Sequence, residues 1–517
     1  MARSKWGAQV WQVLLAVVVA LIGLKVFEMR NSIMMMHTSA RIRLPGFYIR
    51  QQASGMGPVR CRNVHGAYEE DSRAHSVDPK TNKPAQTTES CEDVRMSTWL
   101  GIAVFSCDPG RVKWNAVMGP LDEPHKRGAI WILDYKVADA QPYYLQIDQF
   151  PNTYDFHPLG LSLLDLSPTL ARLFVVNHRG VGNTVEVIDM QKQAGKWKAR
   201  YVRSISDVIG THAANSIQAL DRNELLVTNM HTAQKRTPPQ PFVERTVENL
   251  YGTTINRYSD YFGDSRHKDN IRAMENVVGG GWVAHIKFGD QAPKPKGQLL
   301  ERYEHDVKAH AIAKRIPFAN GIATTPGLRH VVVASTSTPG VLIFPVTRWT
   351  EDGEPDWNRD DVLGQRIVVP TPFFADNLEV VPPKPVQKVL PDDPLFGAKI
   401  IVAGHPSLPD MAEMMQNFGS DQLRGPSWAV EIQYTGQTAI PDDAPFPADR
   451  RLAGLPRGWS VRTLMQTDGR PAQYDGNTVE LPTSCGVAWD NHGEGLGTII
   501  FSGLYSPAPL VCQGVYA

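Results

Sequence analysis

Glu92 and Asp93 stand side by side, and oxygen-bearing side chains recur far along the chain at the heads of apolar runs. They are Asn215 in HAANSIQAL, Asn320 in FANGI, and Asp376 with Asn377 in ADNLEVV. Carboxylates and amides without accompanying thiols suit a hard cation, and calcium takes about six to eight oxygen ligands. Three histidines, His178, His231 and His405, each close an apolar run. Imidazoles brought to the same place could line a pocket or carry a proton. If these segments converge, the chain is built around calcium.

Convergence of that kind requires a repeating framework. Runs such as TWLGIAVFS, LARLFVVNH, RHVVVAS and AKIIVAGHP are rich in Val, Ile, Leu and aromatics and are bounded by Gly, Pro, Asn and Asp, the pattern of strands and turns. A short strand with a polar opening, a turn, and an apolar strand with a polar end recur in SIQALDRNELLVTNMH, NGIATTPGLRHVVVAS and residues 376–405. A period of roughly 40 to 50 residues marks propellers. Units starting near Glu92, Leu159, Asn215, Asn320, Asp376 and Ser484 predict an all-β fold, a six-bladed β-propeller over 61–517. The largest insertion, residues 234–279, contains a helix-compatible VERTVENL and leads into a glycine triplet at 279–281 that reads as flexible. Its length and its origin beside His231 suit a lid or substrate-recognition element, and equally a passive surface loop. A shorter Pro/Lys-rich insertion at 382–394 reads as an exposed linker.

Lysine plus arginine and aspartate plus glutamate both number 53, so the chain has no basic footprint for nucleic acid. Residues 10–27 are nearly all apolar behind a basic start, with no clear cleavage site after them. This predicts an N-terminal hydrophobic helix over 1–30, a signal anchor or transmembrane helix followed by a membrane-proximal linker at 31–60. The protein would then be membrane-anchored through that segment, or secreted. Of five cysteines, Cys61 and Cys512 flank the propeller and could close it by an end-to-end bridge, with Cys91, Cys107 and Cys485 as buried thiols.

The segments SCEDVRMSTWLGIAVFS, FHPLGLSLL, LFVVNH, FANGI, DNLEVVP and AGHP, in that order, resemble the serum paraoxonase/arylesterase family of six-bladed, calcium-dependent lactonases and esterases. The resemblance implies a catalytic calcium held by Glu92, Asn215, Asn320, Asp376 and Asn377, and a Cys61–Cys512 disulfide. It also implies a second, structural calcium at Asp93 and the carbonyl of Leu161, whose remaining acid falls at Ser216, a poorer ligand. The family's water-activating histidine is replaced by Leu159, two residues after the alternative His157. His178 matches the supporting histidine and becomes the first candidate proton carrier, with Glu92 another. His231, His405 and Asn229, with Leu159, are expected to wall a pocket for a hydrophobic small molecule. The expected activity is hydrolysis of a lactone or aryl ester. The loss at Leu159 leaves open a non-hydrolytic step such as isomerisation, cyclisation or dehydration, and a tethered, non-enzymatic binding module is the third reading.

Overall fold

A computed structural model of the chain describes residues 42–51, 58–68, 86–122, 127–151, 155–180, 182–233, 265–289, 306–383, 389–417, 425–440, 442–491 and 496–516, with a few positions between 11 and 26. Six sheets follow one another along the chain, antiparallel except where Ile147–Asp148 pairs parallel at the edge of the second. Their inner strands are Cys91–Ser97, Pro158–Ser167, Ala214–Asp221, Ala319–Thr324, Phe374–Val381 and Ser484–Asp490, in blades 1 to 6. Each inner strand touches the next, and that of blade 6 returns to blade 1, which closes the ring. The six starts read from the sequence are therefore the six inner strands.

Closure uses the N-terminal side of the chain. Arg60–Asn63 pairs antiparallel with Leu510–Tyr516 as the outer strand of blade 6, with Cys61 opposite Cys512. The Cys61–Cys512 disulfide is present. Tyr48–Ile49, expected in a linker, instead adds a fifth strand to blade 5 against Trp459–Thr467. The adjoining Arg50 is held by the buried Glu431, which also binds Lys399.

Six apolar clusters fill the six gaps between adjacent blades. Both faces of most strands are thus covered. That is why the runs read as nearly continuous Val, Ile and Leu rather than as clean alternation. Most of the N-terminal apolar run lies outside the described residues. Those described include the helical residues 14–20, and among the described residues no helix is long and apolar enough to cross a membrane.

Two helices lie between strands two and three of their blades: α1, Ser265–Val278 in blade 3, and α2, Leu408–Gln416 in blade 5. The VERTVENL segment falls outside the described residues; among those described, this insertion contains α1. The adjoining glycines are tightly packed: a Cβ on Gly279 would sit 2.6 Å from the Arg315 backbone, and one on Gly280 2.5 Å from Glu275 Cδ. They are needed for close approach.

Candidate metal centre and its surroundings

Every inner strand carries an irregularity near its start, after the first paired residue in five blades and after the second in blade 5, between Cys91/Asp93, Pro158/Leu161, Ala214/Ile217, Ala319/Ile322, Ala375/Leu378 and Ser484/Gly486. A bulge leaves residues unpaired and re-aims their side chains. The corresponding second positions around the ring are Glu92, Leu159, Asn215, Asn320, Asp376 and Cys485. The third positions are Asp93, Gly160, Ser216, Gly321, Asn377 and Gly486. Polar pairs thus alternate with glycine-bearing blades. A Cβ on Gly321 would lie 2.6 Å from Asn377 Cα, one on Gly160 2.6 Å from Ser216 Cα, and one on Gly486 3.1 Å from Val94 N. The glycines let each polar pair approach its neighbouring blade.

All five residues expected to hold a cation are buried at this one level: Glu92, Asn215, Asn320, Asp376 and Asn377. Asn377 Nδ2 donates to Glu92 Oε1 at 3.0 Å, and Asn320 Nδ2 donates to Thr336 Oγ1 at 3.1 Å. These bonds fix the two amides with their oxygens turned away. Glu92 Oε2, Asn215 Oδ1, Asn320 Oδ1 and Asn377 Oδ1 are all buried without a hydrogen-bond partner. Such orphaned oxygens are costly unless something positive meets them. Burial, then Asp93 and Asp376, push the Glu92 carboxyl well above the usual carboxylate range. The donor set of two carboxylates and three amide oxygens fits calcium by charge and by ligand type. Among the described residues no cluster of three His, Cys, Asp or Glu side chains could hold a metal.

The antiparallel register explains the histidines. It sets the end of each second strand beside the start of the inner strand, as in Phe374 opposite His405 and Ala214 opposite Asn229. His405 Nε2 donates to Asp376 Oδ2 at 2.8 Å. His231 lies 3.4 Å from Glu275 of α1, and burial holds its pKa down. His178 Nε2 donates to the Ala214 carbonyl at 2.7 Å, so this ring braces the backbone just before Asn215. His157 Nδ1 donates to the buried Asp108 Oδ2 at 2.9 Å, and the His157 ring lies 5.7 Å from that of Trp114.

Two expected pocket residues do other work. Leu159 holds its ring position but belongs to the apolar cluster between blades 2 and 3 with Phe174 and Val176. Asn229 is fully buried; its Oδ1 accepts from Ala213 N at 2.8 Å, and its Nδ2 donates to the Gly210 carbonyl at 3.0 Å. It ties down the segment that delivers Asn215.

Asp93, Leu161 and Ser216 are also brought together, but around a guanidinium. Arg95 reaches all three. A second correction concerns the cysteines: Cys91 and Cys107, expected as thiols, form a disulfide across the first two strands of blade 1. It pins the residue before Glu92. Cys485 is free and buried.

Above the ring lies an apolar cover of Met414 and Met415 from α2, Leu504, Tyr505, Val112 and Met118. The segment after Cys107 supplies much of it and went unread in the sequence. Its Asp108 caps a short turn. Its buried Arg111 donates to the Pro158 carbonyl at 2.9 Å and lowers the Glu92 carboxyl, against the burial that raises it. The only sequence signal was the turn-forming CDPG. α1 contributes Arg272, which bonds to the Val117 carbonyl of the same segment, so the described part of the expected lid does meet the cover.

A family model described as Arylesterase matches residues 113–259, and over that stretch the resemblance read from the motifs is borne out. The match includes His157, His178, Asn215 and His231 but stops short of Asn320 and Asp376. No curated protein matches the chain. Among solved structures, a luciferin-regenerating enzyme is 9% identical with a TM-score of 0.36, covering 83% of this chain and 94% of its own. A periplasmic gluconolactonase of Pseudomonas aeruginosa is 10% identical with a TM-score of 0.30, over 72% and 71%. The calcium-binding protein regucalcin of Agrobacterium tumefaciens is 8% identical with a TM-score of 0.30, over 82% and 90%. At these values the likenesses carry no argument about chemistry, which rests on the residues themselves.

Proposed function

We propose that the chain is a calcium-dependent hydrolase of lactones or aryl esters. The observation that carries this reading is the set of four orphaned, buried oxygens on Glu92, Asn215, Asn320 and Asn377, with Asp376 on the same ring. Glu92, Asn215, Asn320, Asp376 and Asn377 would hold the ion. When bound, calcium would supply Lewis acidity toward a carbonyl oxygen and the oxyanion formed from it.

The protein's own groups supply the rest. Asp108 holds His157 with Nδ1 protonated, which makes Nε2 the basic nitrogen. His157, two residues before Leu159 and buried beside Asp108, is the group we assign to taking the proton from the attacking water. His178 has its Nε2 committed to the Ala214 carbonyl and serves as a positioning residue. Glu92 serves the ion rather than the proton. The cover of Met414, Leu504, Tyr505 and Met118 excludes water and favours an apolar acyl or aryl group. The match to the Arylesterase model and the two disulfides, which suit an oxidising compartment, support a secreted hydrolase.

Turnover of phenyl acetate and aliphatic lactones, measured with calcium and with chelator, tests this. Activity should vanish with chelator and in Asp376→Ala, and Asp108→Asn should lower kcat by about a hundredfold or more. Hydrolysis indifferent to chelation would sink the proposal. Stoichiometric calcium with no turnover on any ester would leave the non-hydrolytic reading.

A further inference from the structure

The second cation site implied by the resemblance does not fit this chain, and Arg95 is the reason. Arg95 lies in the inner strand of blade 1 and turns its guanidinium across the ring. Its Nε donates to the Leu161 carbonyl of blade 2 at 2.9 Å. Its Nη1 donates to the Leu378 carbonyl of blade 5 at 3.0 Å. Its Nη2 reaches Ser216 Oγ of blade 3 at 3.4 Å and lies 3.2 Å from Asp93 Oδ2 of blade 1. The other demands on Asp93 are already met: Oδ1 accepts from Val94 N and Oδ2 from Leu161 N, both at 2.9 Å. We propose that the Arg95 guanidinium is the resident cation of this site, joining blades 1, 2, 3 and 5, and that no metal binds there.

Charge and geometry agree on this. Asp93 is the one carboxylate that Arg95 contacts, Ser216 being neutral, and the same guanidinium lowers the buried Glu379 carboxyl against the burial that raises it. The guanidinium already supplies the positive charge these carboxylates need, and a divalent ion beside it would add like charge in a buried place. The carbonyls of Leu161 and Leu378 point at N–H donors, and a planar fork with several fixed donors can satisfy acceptors on different strands at once. A calcium ion would have to displace all of these bonds. The inner ring is therefore locked by a covalently attached cation, which chelation cannot remove. This inference does not rest on the hydrolase reading.

The test is a count of calcium per chain, by elemental analysis after equilibrium dialysis. Wild-type protein should bind at most one; two would overturn the proposal. The double variant Arg95→Ser with Ser216→Asp vacates the site and restores a second carboxylate. It should bind one calcium more than wild type, and a folded double variant with the wild-type count would contradict the inference. Ser216→Asp alone, which keeps the arginine and does not depend on the double variant folding, should leave the count unchanged and raise the melting temperature. An extra calcium in that variant would also overturn the proposal. A wild-type count of zero would instead remove the cation reading of the Glu92 ring, while the difference between variants would still stand.

Discussion

Gly321→Ala is the substitution whose effect follows most directly from the ring's geometry. A methyl group there would meet Asn377 Cα at 2.6 Å, Leu378 N at 2.7 Å and the Asp376 carbonyl oxygen at 2.8 Å. An ordinary carbon contact is about 3.5–4 Å, so blades 4 and 5 must part by roughly 1 Å. All three contacts are backbone atoms, so no side chain can rotate out of the way. Overpacking of this kind costs about 1–3 kcal/mol. The displaced residues, Asp376 and Asn377, are the pair proposed to hold the ion, so the loss should appear in cation binding. At about 1.4 kcal/mol for each tenfold step, calcium affinity should fall roughly tenfold to a hundredfold. The control is Gly46→Ala, whose Cβ would meet only Ala472 Cβ at 3.7 Å, an ordinary contact. Melting temperature and calcium affinity of the two variants, measured side by side, decide the matter. Equal behaviour of Gly321→Ala and Gly46→Ala in both measurements would refute the claim that the glycine is required for ligand approach.

Burial raises the Glu431 carboxyl, but Arg50 and then Lys399 bring it down to about 2 from an ordinary value of 4.5. The depressed value means the stabilisation is fully present above the unfolded carboxyl pKa and is lost as pH falls from there toward 2. It amounts to roughly 3 kcal/mol. Acid unfolding of Glu431→Gln should have a visibly shallower slope across that window, and a slope equal to wild type would count against the account. Replacing Cys91 and Cys107 together by alanine removes a short cross-strand closure. It should cost about 3 kcal/mol and weaken calcium binding, because Cys91 directly precedes Glu92; unchanged calcium affinity would show the disulfide has no part in the site. Leu159→His places a polar ring in the apolar cluster between blades 2 and 3. It should destabilise by about 2 kcal/mol or more without raising turnover, and a gain in activity would mean that this position faces the pocket.

The six blade starts could be read in advance because all but Leu159 join a polar residue to an apolar run, and the register then carries the candidate ligands to one level. The Cys61–Cys512 closure was legible for a similar reason: only the ends of a ring need joining at that separation. The Cys91–Cys107 disulfide was not, because pairing across one hairpin depends on a register that spacing alone does not fix. Leu159 and Asn229 show the same limit. Their sequence positions follow the ring, but whether a side chain meets the channel or the neighbouring blade is set by the bulge. Asp108 and Arg111 were missed because they sit on a connecting segment with no periodicity. Arg95 was missed because, in sequence, an arginine two residues past an aspartate reads as a solvated strand residue. Only the approach of blades 2, 3 and 5 turns it inward.

The central claim is that the orphaned oxygens of the inner ring are a calcium site. Calorimetric titration of calcium into stripped wild-type protein and Asn215→Leu tests it most directly. Asn215 Oδ1 is buried without a hydrogen-bond partner, so its removal should leave the melting temperature of the stripped protein unchanged or higher. It should also weaken calcium binding at least tenfold. Wild-type calcium affinity in Asn215→Leu, or a stripped wild-type protein that takes up no calcium, would contradict the account.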